Sequence, residues 1–260
     1  MSPGAWPATL RAETFYTVGY LNRTGAIMPS ELSDIAGQLT RDLDLSQPPI
    51  QLSYLDAPPQ GVPEHPGGSP SVCTFFAEGR KQSFYVGLKG HEACEIGAFV
   101  LGVAPEGELG QRLMSTIGMM QKEGYLAPGD EAKIPRNAVP PKYVAYGPLG
   151  SLPVAPTNVL LFAKPRSAML AMEASPKAVP VNGRPMCAVV PTLNNGAPVA
   201  VSIGCIGSRI YTQMSDDQMI VGIRGDYLAE FAKKLRTITS ANRAVATEDN
   251  RRKATYHPRP

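Results

Sequence analysis

The stretch "NVLLFAKPRSAMLAMEAS", residues 158–175, places a strand directly before a helix. Its first six residues are mostly apolar, and such a short run bounded by a proline favours a buried strand. Pro165 then stands where a helix can begin, because a proline in the first helical turn loses no hydrogen bond. Met169, Leu170 and Met172 indicate a short helix, and we expect its sulfur-rich face to pack in the core.

Similar strand and helix patterns occur on both sides of this stretch. Apolar residues at helical spacing, or in short β-branched and aromatic runs, mark each element. The pattern predicts helices at 29–43, 70–79 and 106–123 and from Asp226 onward, and strands at 50–55, 83–88, 197–204 and 219–223. A proline- and glycine-rich loop covers 57–70, and a proline-rich connection runs from the third helix to about residue 156.

The charge balance argues against a nucleic-acid partner. The chain has 25 Lys and Arg against 22 Asp and Glu, a net charge of +3. Residues 241–260 alone hold five basic and two acidic side chains, so the rest of the chain is neutral. A neutral body lacks the clustered basic face that phosphate backbones require. The basic segment 241–260 is predicted to be a disordered tail.

The amino terminus and the apolar runs indicate a cytoplasmic protein without a membrane anchor. The first residues, "MSPGAWPATLRAE", lack the apolar core of a signal peptide, and the longest apolar stretch, near 96–104, is too short to span a bilayer. In the cytoplasm, four cysteines are expected to be thiols, metal ligands or buried small residues rather than disulfides.

The cysteines recur at a nearly constant offset. Cys73 and Cys187 are 114 positions apart, and Cys94 and Cys205 are 111 positions apart. The first strands of the two halves begin 108 positions apart. In each half the second cysteine is followed within three residues by a glycine. These offsets are what an internal duplication would leave.

The duplication predicts an α+β fold of two pseudo-repeated halves, each running strand, helix, strand and cysteine turn. The halves would cover about 46–125 and 155–240 and form one mixed sheet with flanking helices. Together they would make a single domain over 29–240, preceded by an arm over 1–28. The cysteine turns would then face each other across a central cleft.

Three motifs resemble a known family. They are "CEIGAFVLG" at 94–102, "NVLLFAKPRSAM" at 158–169 and "SIGCIGSRIYTQMSDDQMIVGI" at 202–223. They are similar to domain-of-unknown-function family 169, also described as ArCR-type proteins, over about residues 30–240. The matching positions are Cys73, Cys94, Gly97, Ala98, Leu101, Gly102, Ala168, Met169, Cys187, Gly204, Cys205, Gly207, Ser208 and Arg209.

The resemblance implies a fold and a set of four cysteines, and it supplies no reaction. The segment Lys164–Met169 lacks the asparagine and the glutamine of the family's pattern. If those amides contact a ligand in relatives, this chain binds something different.

Four cysteines suit a soft metal. Cys73, Cys94, Cys187 and Cys205 could hold zinc or an iron–sulfur cluster, and His91 could substitute as a ligand. The spacings contain no C-x-x-C unit, so a protein without any cofactor is an equal alternative. Buried small residues would also explain all four cysteines. His91 itself is expected in a surface loop.

Thiol catalysis is the second interpretation. Cys94 and Cys205 lie in glycine-flanked turns, where backbone N–H groups can stabilise a thiolate and make it a nucleophile. A histidine base would have to be His65 or His91, because the third histidine, His257, falls in the predicted tail.

An anion site is the third interpretation. The segment "GCIGSR", residues 204–209, offers backbone donors, a hydroxyl and a guanidinium, which suit a carboxylate or a phosphate. A tight turn with a surface arginine is the competing interpretation. Six residues are thus candidates for substrate binding: Gly204, Gly207, Ser208, Arg209, Tyr85 and Tyr211.

The sequence therefore favours an enzyme that acts on a small anionic or aromatic molecule. The reacting group would be a thiolate of Cys94 or Cys205, or a thiolate-bound metal, with Cys73 and Cys187 behind. The alternative is a non-catalytic metal or iron–sulfur protein with a four-cysteine site. Self-association is left open.

Overall fold

The computed structural model describes residues 29–67, 69–181 and 185–255. The predicted arm over 1–28 and the last five residues lie outside the described residues. Seven strands in the described part form a single sheet. They are β1 (Ile50–Leu55), β2 (Phe84–Gly87), β3 (Tyr143–Pro148), β4 (Asn158–Ala163), β5 (Val179–Pro180), β6 (Val199–Ser202) and β7 (Met219–Arg224).

Eight α-helices are described, and they cover both faces of this sheet. They are α1 (Pro29–Asp42), α2 (Val72–Gly79), α3 (Glu95–Val100), α4 (Gly107–Lys122), α5 (Pro165–Glu173), α6 (Val189–Asn194), α7 (Ile206–Thr212) and α8 (Leu228–Thr255). The predicted elements upstream of residue 125 and the strand-to-helix unit at 158–175 correspond to observed elements, with ends that differ by a few residues.

The sheet has the strand order β2-β3-β1-β4-β7-β6-β5. All neighbouring strands are antiparallel except β5 and β6, which are parallel. The first strands of the two sequence halves, β1 and β4, therefore pair in the middle, with Ile50 opposite Leu160. The α+β class with one mixed sheet is confirmed.

Alternating side chains divide the core into two layers. In β4, Leu160 and Phe162 face one apolar cluster, while Val159 and Leu161 face the other, because successive side chains of a strand point to opposite faces. The first cluster packs against α2, α3, α4 and α6, and the second packs against α1, α5 and α8. We call the layer of α2, α3, α4 and α6 the cysteine face, because all four cysteines lie on it.

One central strand was missed by the sequence analysis. The supposed proline-rich connection contains β3, which pairs along its whole length with β1 and also with β2. Prolines at 140, 141 and 148 lie close to both ends of the strand, so its short "YVAY" run was assigned to a proline-rich connection. Its partners are 56 to 98 positions away in the sequence, so its pairing leaves no local signal.

Two other expectations were wrong. Residues 241–255 continue helix α8 instead of forming a disordered tail. Ion pairs at helical spacing, Arg252 with Glu248 and Lys253 with Asp249, support this charged end. In α5, Met169 and Met172 are exposed, and the smaller residues of the helix face the core instead.

None of the helices in the described ranges has the length and apolar character that crossing a membrane requires.

Candidate four-cysteine site

All four cysteines converge on the cysteine face. Cys73 lies in α2, and Cys187 lies in the single-turn helix Met186–Ala188. Cys94 and Cys205 are the residues that immediately precede α3 and α7. Helix α2 contacts α3, α7 and the turn around Cys187, so four separate segments meet here. Cys73 and Cys187 are buried within the apolar cluster, and Cys94 and Cys205 pack half-buried against it.

The two buried thiols belong to the same apolar cluster. The neighbouring Cys187 side chain lowers the pKa of Cys73, whereas Cys73 and burial raise the pKa of Cys187 well above its ordinary value. Both cysteines are free thiols. Cys187 also lies close enough to Cys94 and Cys205 for their charges to raise its pKa. Cys187 therefore interacts electrostatically with each of the other three cysteines.

Backbone N–H groups point at the Cys94 sulfur. Cys94 Sγ accepts a hydrogen bond from the Gly97 backbone nitrogen at 3.3 Å, and the Val72 N–H also donates to it. Burial raises the pKa of Cys94, and these two hydrogen bonds oppose that rise because they stabilise the thiolate.

The second half repeats this arrangement. Cys205 Sγ accepts a hydrogen bond from the Met186 backbone nitrogen at 3.4 Å. Val72 precedes Cys73, and Met186 precedes Cys187. In both halves, therefore, the half-buried sulfur is held by the N–H of the residue before the buried cysteine.

Gly97 is needed for this packing, and its replacement by alanine tests it. An added Cβ would lie 2.4 Å from Val72 Cγ2 and 2.9 Å from Cys94 Sγ. We expect Gly97→Ala to lower the free energy of unfolding by about 1–3 kcal/mol, measured by urea denaturation, because the core is overpacked.

Gly118→Ala in α4 is the matched control, since an added Cβ there meets nothing within 4 Å. Alanine is the better helix former, so this variant should gain up to about 1 kcal/mol. A Gly97→Ala protein as stable as the Gly118→Ala protein would contradict the close contact between α2 and α3.

Ser208 and Arg209 have structural roles where the sequence analysis predicted anion binding. The buried Ser208 hydroxyl accepts from the Cys205 backbone nitrogen at 2.9 Å and donates to the Cys205 carbonyl oxygen at 2.6 Å. The Arg209 guanidinium donates to the carbonyl oxygens of Ile203, Ser215 and Gln218. Its donors hold the loop after α7, so the geometry gives no support to an anion held by Arg209.

The other candidate binding residues are dispersed. Gly204 has φ +90° and an added Cβ would lie 2.8 Å from Ser208 Oγ, so this glycine shapes the turn before Cys205. Gly207 and Tyr211 are neighbours on α7, beside Cys205. Tyr85 lies on the edge strand β2, where its hydroxyl donates to a Glu64 carboxylate oxygen at 3.3 Å. Tyr85 is therefore not part of the cysteine site.

His91 is buried, which corrects the expectation of a surface histidine. Its Nδ1 donates to the Gly87 carbonyl oxygen at 3.1 Å, so Nε2 accepts from the Tyr146 hydroxyl at 2.8 Å. Burial lowers the pKa of His91 to about 4. Both ring nitrogens are therefore occupied by groups other than cysteine.

His65 is engaged elsewhere as well. Its Nδ1 accepts from the Gly67 backbone nitrogen at 3.0 Å, and its Nε2 bonds a Glu78 carboxylate oxygen at 2.8 Å. Within the described residues, no histidine forms a hydrogen bond with a cysteine, so the structure contains no Cys–His dyad there.

Two polar residues near the thiols were not predicted. A hydrogen bond from the buried Ser71 hydroxyl stabilises the Cys73 thiolate and so lowers the pKa of Cys73. This hydroxyl has no hydrogen-bonding oxygen or nitrogen partner among the described residues. Tyr146 is fully buried, and the nearby Cys73 and Cys187 charges add to the burial that raises its pKa. Ser71 was visible two positions before Cys73, whereas Tyr146 lies in the missed strand β3.

A family profile matches residues 38–234, which is most of the chain, and its description reads "uncharacterised ArCR". The chain belongs to domain-of-unknown-function family 169. No curated protein and no solved structure matches the chain. The family membership agrees with the resemblance of the cysteine motifs and carries no reaction, so the chemistry of this family 169 protein has to be argued from its own residues.

The sulfurs as placed do not hold a single metal ion. Over the ranges that the structure describes, no three His, Cys, Asp or Glu side chains have the spacing of a metal-ion site. A bound zinc ion would therefore require the thiols to rearrange.

Apolar side chains surround the outer end of the site. Ile203, Ile206 and Ile210 are each more than 60% exposed, and Tyr211 is 41% exposed. They lie on and beside α7, which begins directly after Cys205. Solvent-side access to Cys205 thus runs across an apolar surface.

Proposed function

We propose that this protein is a thiol-dependent redox enzyme whose reacting centre is the pair Cys73 and Cys187, reached through Cys205. The observation that carries the proposal is that two buried free thiols lie in one apolar cluster, where α2 packs against the turn that holds Cys187. Two thiols held close together are the arrangement from which a disulfide forms with little movement. The Cys187 side chain lowers the pKa of Cys73, which favours its thiolate.

A small organic disulfide, R–S–S–R, is the substrate class that balances this chemistry. The Cys205 thiolate attacks one sulfur, forms a mixed disulfide and releases R–S⁻. Cys187 then attacks Cys205 Sγ as its proton passes to the departing second R–S⁻, and a Cys187–Cys205 disulfide forms.

Cys73 finally attacks Cys187 Sγ, forms the Cys73–Cys187 disulfide and frees Cys205 as a thiol. The protons of the two oxidised thiols go to the two R–S⁻ groups. The substrate gains two electrons, and the dithiol loses two.

The surface around Cys205 supports an aromatic or apolar R group. Ile206, Ile210 and Tyr211 provide apolar contact area beside the entry thiol. The anionic alternative loses its support because Arg209 is occupied by carbonyl oxygens. The cytoplasm suits this chemistry, since thiols are kept reduced there.

The duplication that we infer would give the centre its symmetry. From the middle of the sheet outward, the strands run β1, β3, β2 on one side and β4, β7, β6 on the other, so on each side the strand that is latest in sequence lies between the other two. Strand β3 lies in the connection between the two predicted halves, and β5 has no counterpart beside β2. Cys94 precedes the first α-helix after β2, and Cys205 precedes the helix after β6. Both observations support two halves related by a pseudo-twofold axis between β1 and β4.

A four-thiolate metal or iron–sulfur centre is the second candidate. Backbone N–H donors to the Cys94 and Cys205 sulfurs favour it, because such hydrogen bonds stabilise and tune sulfur ligands of clusters. The four sulfurs would have to spread around the cluster, given that no metal-ion spacing is present now.

Titration with an aromatic disulfide tests the redox proposal. The reduced, metal-free protein is mixed with 4,4′-dithiodipyridine under anaerobic conditions, and the peptides are then mapped by mass spectrometry. We expect a Cys73–Cys187 linkage and release of two pyridinethiones for each linkage formed. Cys205→Ser should slow the release at least tenfold, whereas Cys94→Ser, the matched change in the other half, should leave the linkage intact.

Stable mixed disulfides without any Cys73–Cys187 linkage would overturn the redox proposal. Anaerobically purified protein that is brown and contains iron and sulfide would establish the second candidate instead. Loss of that colour in Cys73→Ser and Cys205→Ser would then assign the ligands.

A further inference from the structure

Cys94 is the one cysteine that the proposed reaction does not use. It is a half-buried free thiol that packs against the apolar cluster holding the buried pair. Its sulfur accepts a hydrogen bond from the Gly97 backbone nitrogen at 3.3 Å and so caps the start of α3. Serine, threonine, aspartate and asparagine are the usual residues at such a cap, so the capping role alone does not require a thiol.

The Cys94 sulfur lies against the segment that carries Cys73. A Cβ added at Gly97 would be 2.4 Å from Val72 Cγ2 and 2.9 Å from Cys94 Sγ, so the Val72 side chain and the sulfur flank the same point. The Val72 N–H also donates to this sulfur, and Val72 directly precedes Cys73. Cys94 is therefore the half-buried thiol that is placed next to Cys73.

Cys205 is placed next to the other buried thiol. Its sulfur accepts a hydrogen bond from the Met186 nitrogen at 3.4 Å, and Met186 directly precedes Cys187. The Cys73 and Cys187 residues are only 7% and 4% exposed, so a thiol from solution does not reach a disulfide between them directly. Reduction of that disulfide has to begin at Cys94 or at Cys205.

The surfaces around the two half-buried thiols differ. Cys205 is followed by Ile206, which is 63% exposed and belongs to the apolar surface described above. Cys94 lies between Glu92 and Glu95 in the chain, and both of these acidic residues are partly exposed. An apolar disulfide therefore suits Cys205, whereas a hydrophilic reactant suits Cys94.

Polar contacts continue around the turn at Cys94. The Glu95 carboxylate accepts a hydrogen bond from the Thr116 hydroxyl at 2.6 Å. One helical turn before Thr116, the exposed Arg112 guanidinium donates to the Glu92 carbonyl oxygen at 2.5 Å. These groups can exchange hydrogen bonds with a thiol that carries polar groups of its own, so such a thiol does not lose its hydrogen bonds on approach.

We infer that Cys94 is the thiol through which a small hydrophilic thiol, R′–SH, reduces the Cys73–Cys187 disulfide again. The inference rests on the redox function proposed above, because that reaction forms the disulfide. Electrons then enter at Cys94 and leave at Cys205. The reductant and the oxidant thus use separate surfaces of the protein.

The steps are thiol–disulfide exchanges. The Cys94 thiolate attacks Cys73 Sγ, forms a Cys73–Cys94 disulfide and releases Cys187 as a thiolate, which takes the proton that Cys94 lost. One R′–S⁻ attacks Cys94 Sγ, forms a mixed disulfide and frees Cys73. A second R′–S⁻ attacks the R′ sulfur, releases R′–S–S–R′ and frees Cys94. The protons of the two R′–SH go to Cys73 and Cys94, and the protein disulfide gains their two electrons.

Reduction of the oxidised protein by 2-mercaptoethanol tests this role. The Cys73–Cys187 linkage is first formed with 4,4′-dithiodipyridine in the metal-free protein, and the excess reagent is removed. Loss of the linkage after addition of 2-mercaptoethanol is followed by alkylation and mass spectrometry. We expect Cys94→Ser to slow this loss at least tenfold. Brief exposure of the unaltered protein should trap 2-mercaptoethanol on Cys94 rather than on Cys205.

Two substitutions separate the chemical role of Cys94 from its role as a cap. Cys94→Ser keeps a side chain that can cap α3, so its urea midpoint should be close to that of the unaltered protein. Cys94→Ala removes both the cap and the thiol, so it should unfold at a lower urea concentration. Both variants should slow the reduction to the same extent. Slowing by Cys94→Ala alone would show that Cys94 acts only as a cap.

Two further results would overturn the role of Cys94. They are reduction of the Cys94→Ser protein at the rate of the unaltered protein, and trapping of 2-mercaptoethanol on Cys205. Neither result contradicts the redox proposal, because the disulfide has already formed. If the Cys73–Cys187 linkage did not form in the first step, the redox proposal would fail and the role of Cys94 with it.

Discussion

Replacing Phe75 with alanine is expected to lower the free energy of unfolding by about 3–5 kcal/mol. The ring is 1% exposed and lies among aromatic groups on the cysteine face. Its centroid is 5.1 Å from His65, 5.2 Å from His91 and 5.6 Å from Tyr146. Removing it leaves a cavity between α2 and the sheet that these stiff neighbours cannot fill.

The same change should also expose the thiols. Phe75 is two residues from Cys73 in α2, so a loosened α2 should open its contact with the turn that holds Cys187. We expect the Cys73 thiol to react faster with iodoacetamide in Phe75→Ala than in the unaltered protein, read by mass spectrometry.

Tyr125→Ala is the control for this prediction. Tyr125 is an aromatic residue that is 53% exposed, and its replacement should change the free energy of unfolding by no more than about 0.5 kcal/mol in urea denaturation. If the Phe75→Ala and Tyr125→Ala proteins unfolded at the same urea concentration, the Phe75 ring would not be what holds α2 to the sheet.

Acid should destabilise the protein through His91. Burial lowers the pKa of His91 to about 4 in the folded protein, against an ordinary value of 6.5. Between these two values the unfolded chain binds a proton that the folded protein rejects. The free energy of unfolding is therefore unaffected by His91 above pH 6.5. It falls as the pH drops toward 4, by on the order of 3 kcal/mol.

Urea denaturation at several pH values from 7.5 to 4 measures this loss. His91→Gln keeps an acceptor for the Tyr146 hydroxyl and a donor for the Gly87 carbonyl oxygen, but it does not titrate. The variant should be less stable than the unaltered protein at neutral pH and should lose less stability on acidification. An identical pH dependence in both proteins would contradict the assignment to His91.

Much of the fold could be predicted from local patterns. Helix α4 and strands β1 and β4 were found because their apolar spacing, prolines and glycines act within a few residues. Strand β3 was not found, since it is defined by pairing with β1 and β2 across long sequence separations. The exposed methionines of α5 were misassigned because spacing alone does not tell which face of a helix meets the sheet.

The role of the four cysteines stays a prediction. The recurrence of Cys73 and Cys94 as Cys187 and Cys205 indicated two matching turns, and the structure places all four cysteines in or against one apolar cluster. For Arg209 the sequence left open an anion site or a structural turn, and the observed hydrogen bonds to carbonyl oxygens favour the structural role. Its carbonyl partners come from loop positions six to nine residues away.

The sequence by itself determined which residues could carry chemistry, because thiols, glycines and charges are fixed by residue type and their spacing is visible in the chain. Tertiary structure decided which of them act together. The placement of Cys73 and Cys187 in one apolar cluster and the burial of His91 both depend on packing between segments far apart in the chain. Burial and proximity set pKa values and hydrogen-bond satisfaction, and neither quantity is encoded in local sequence.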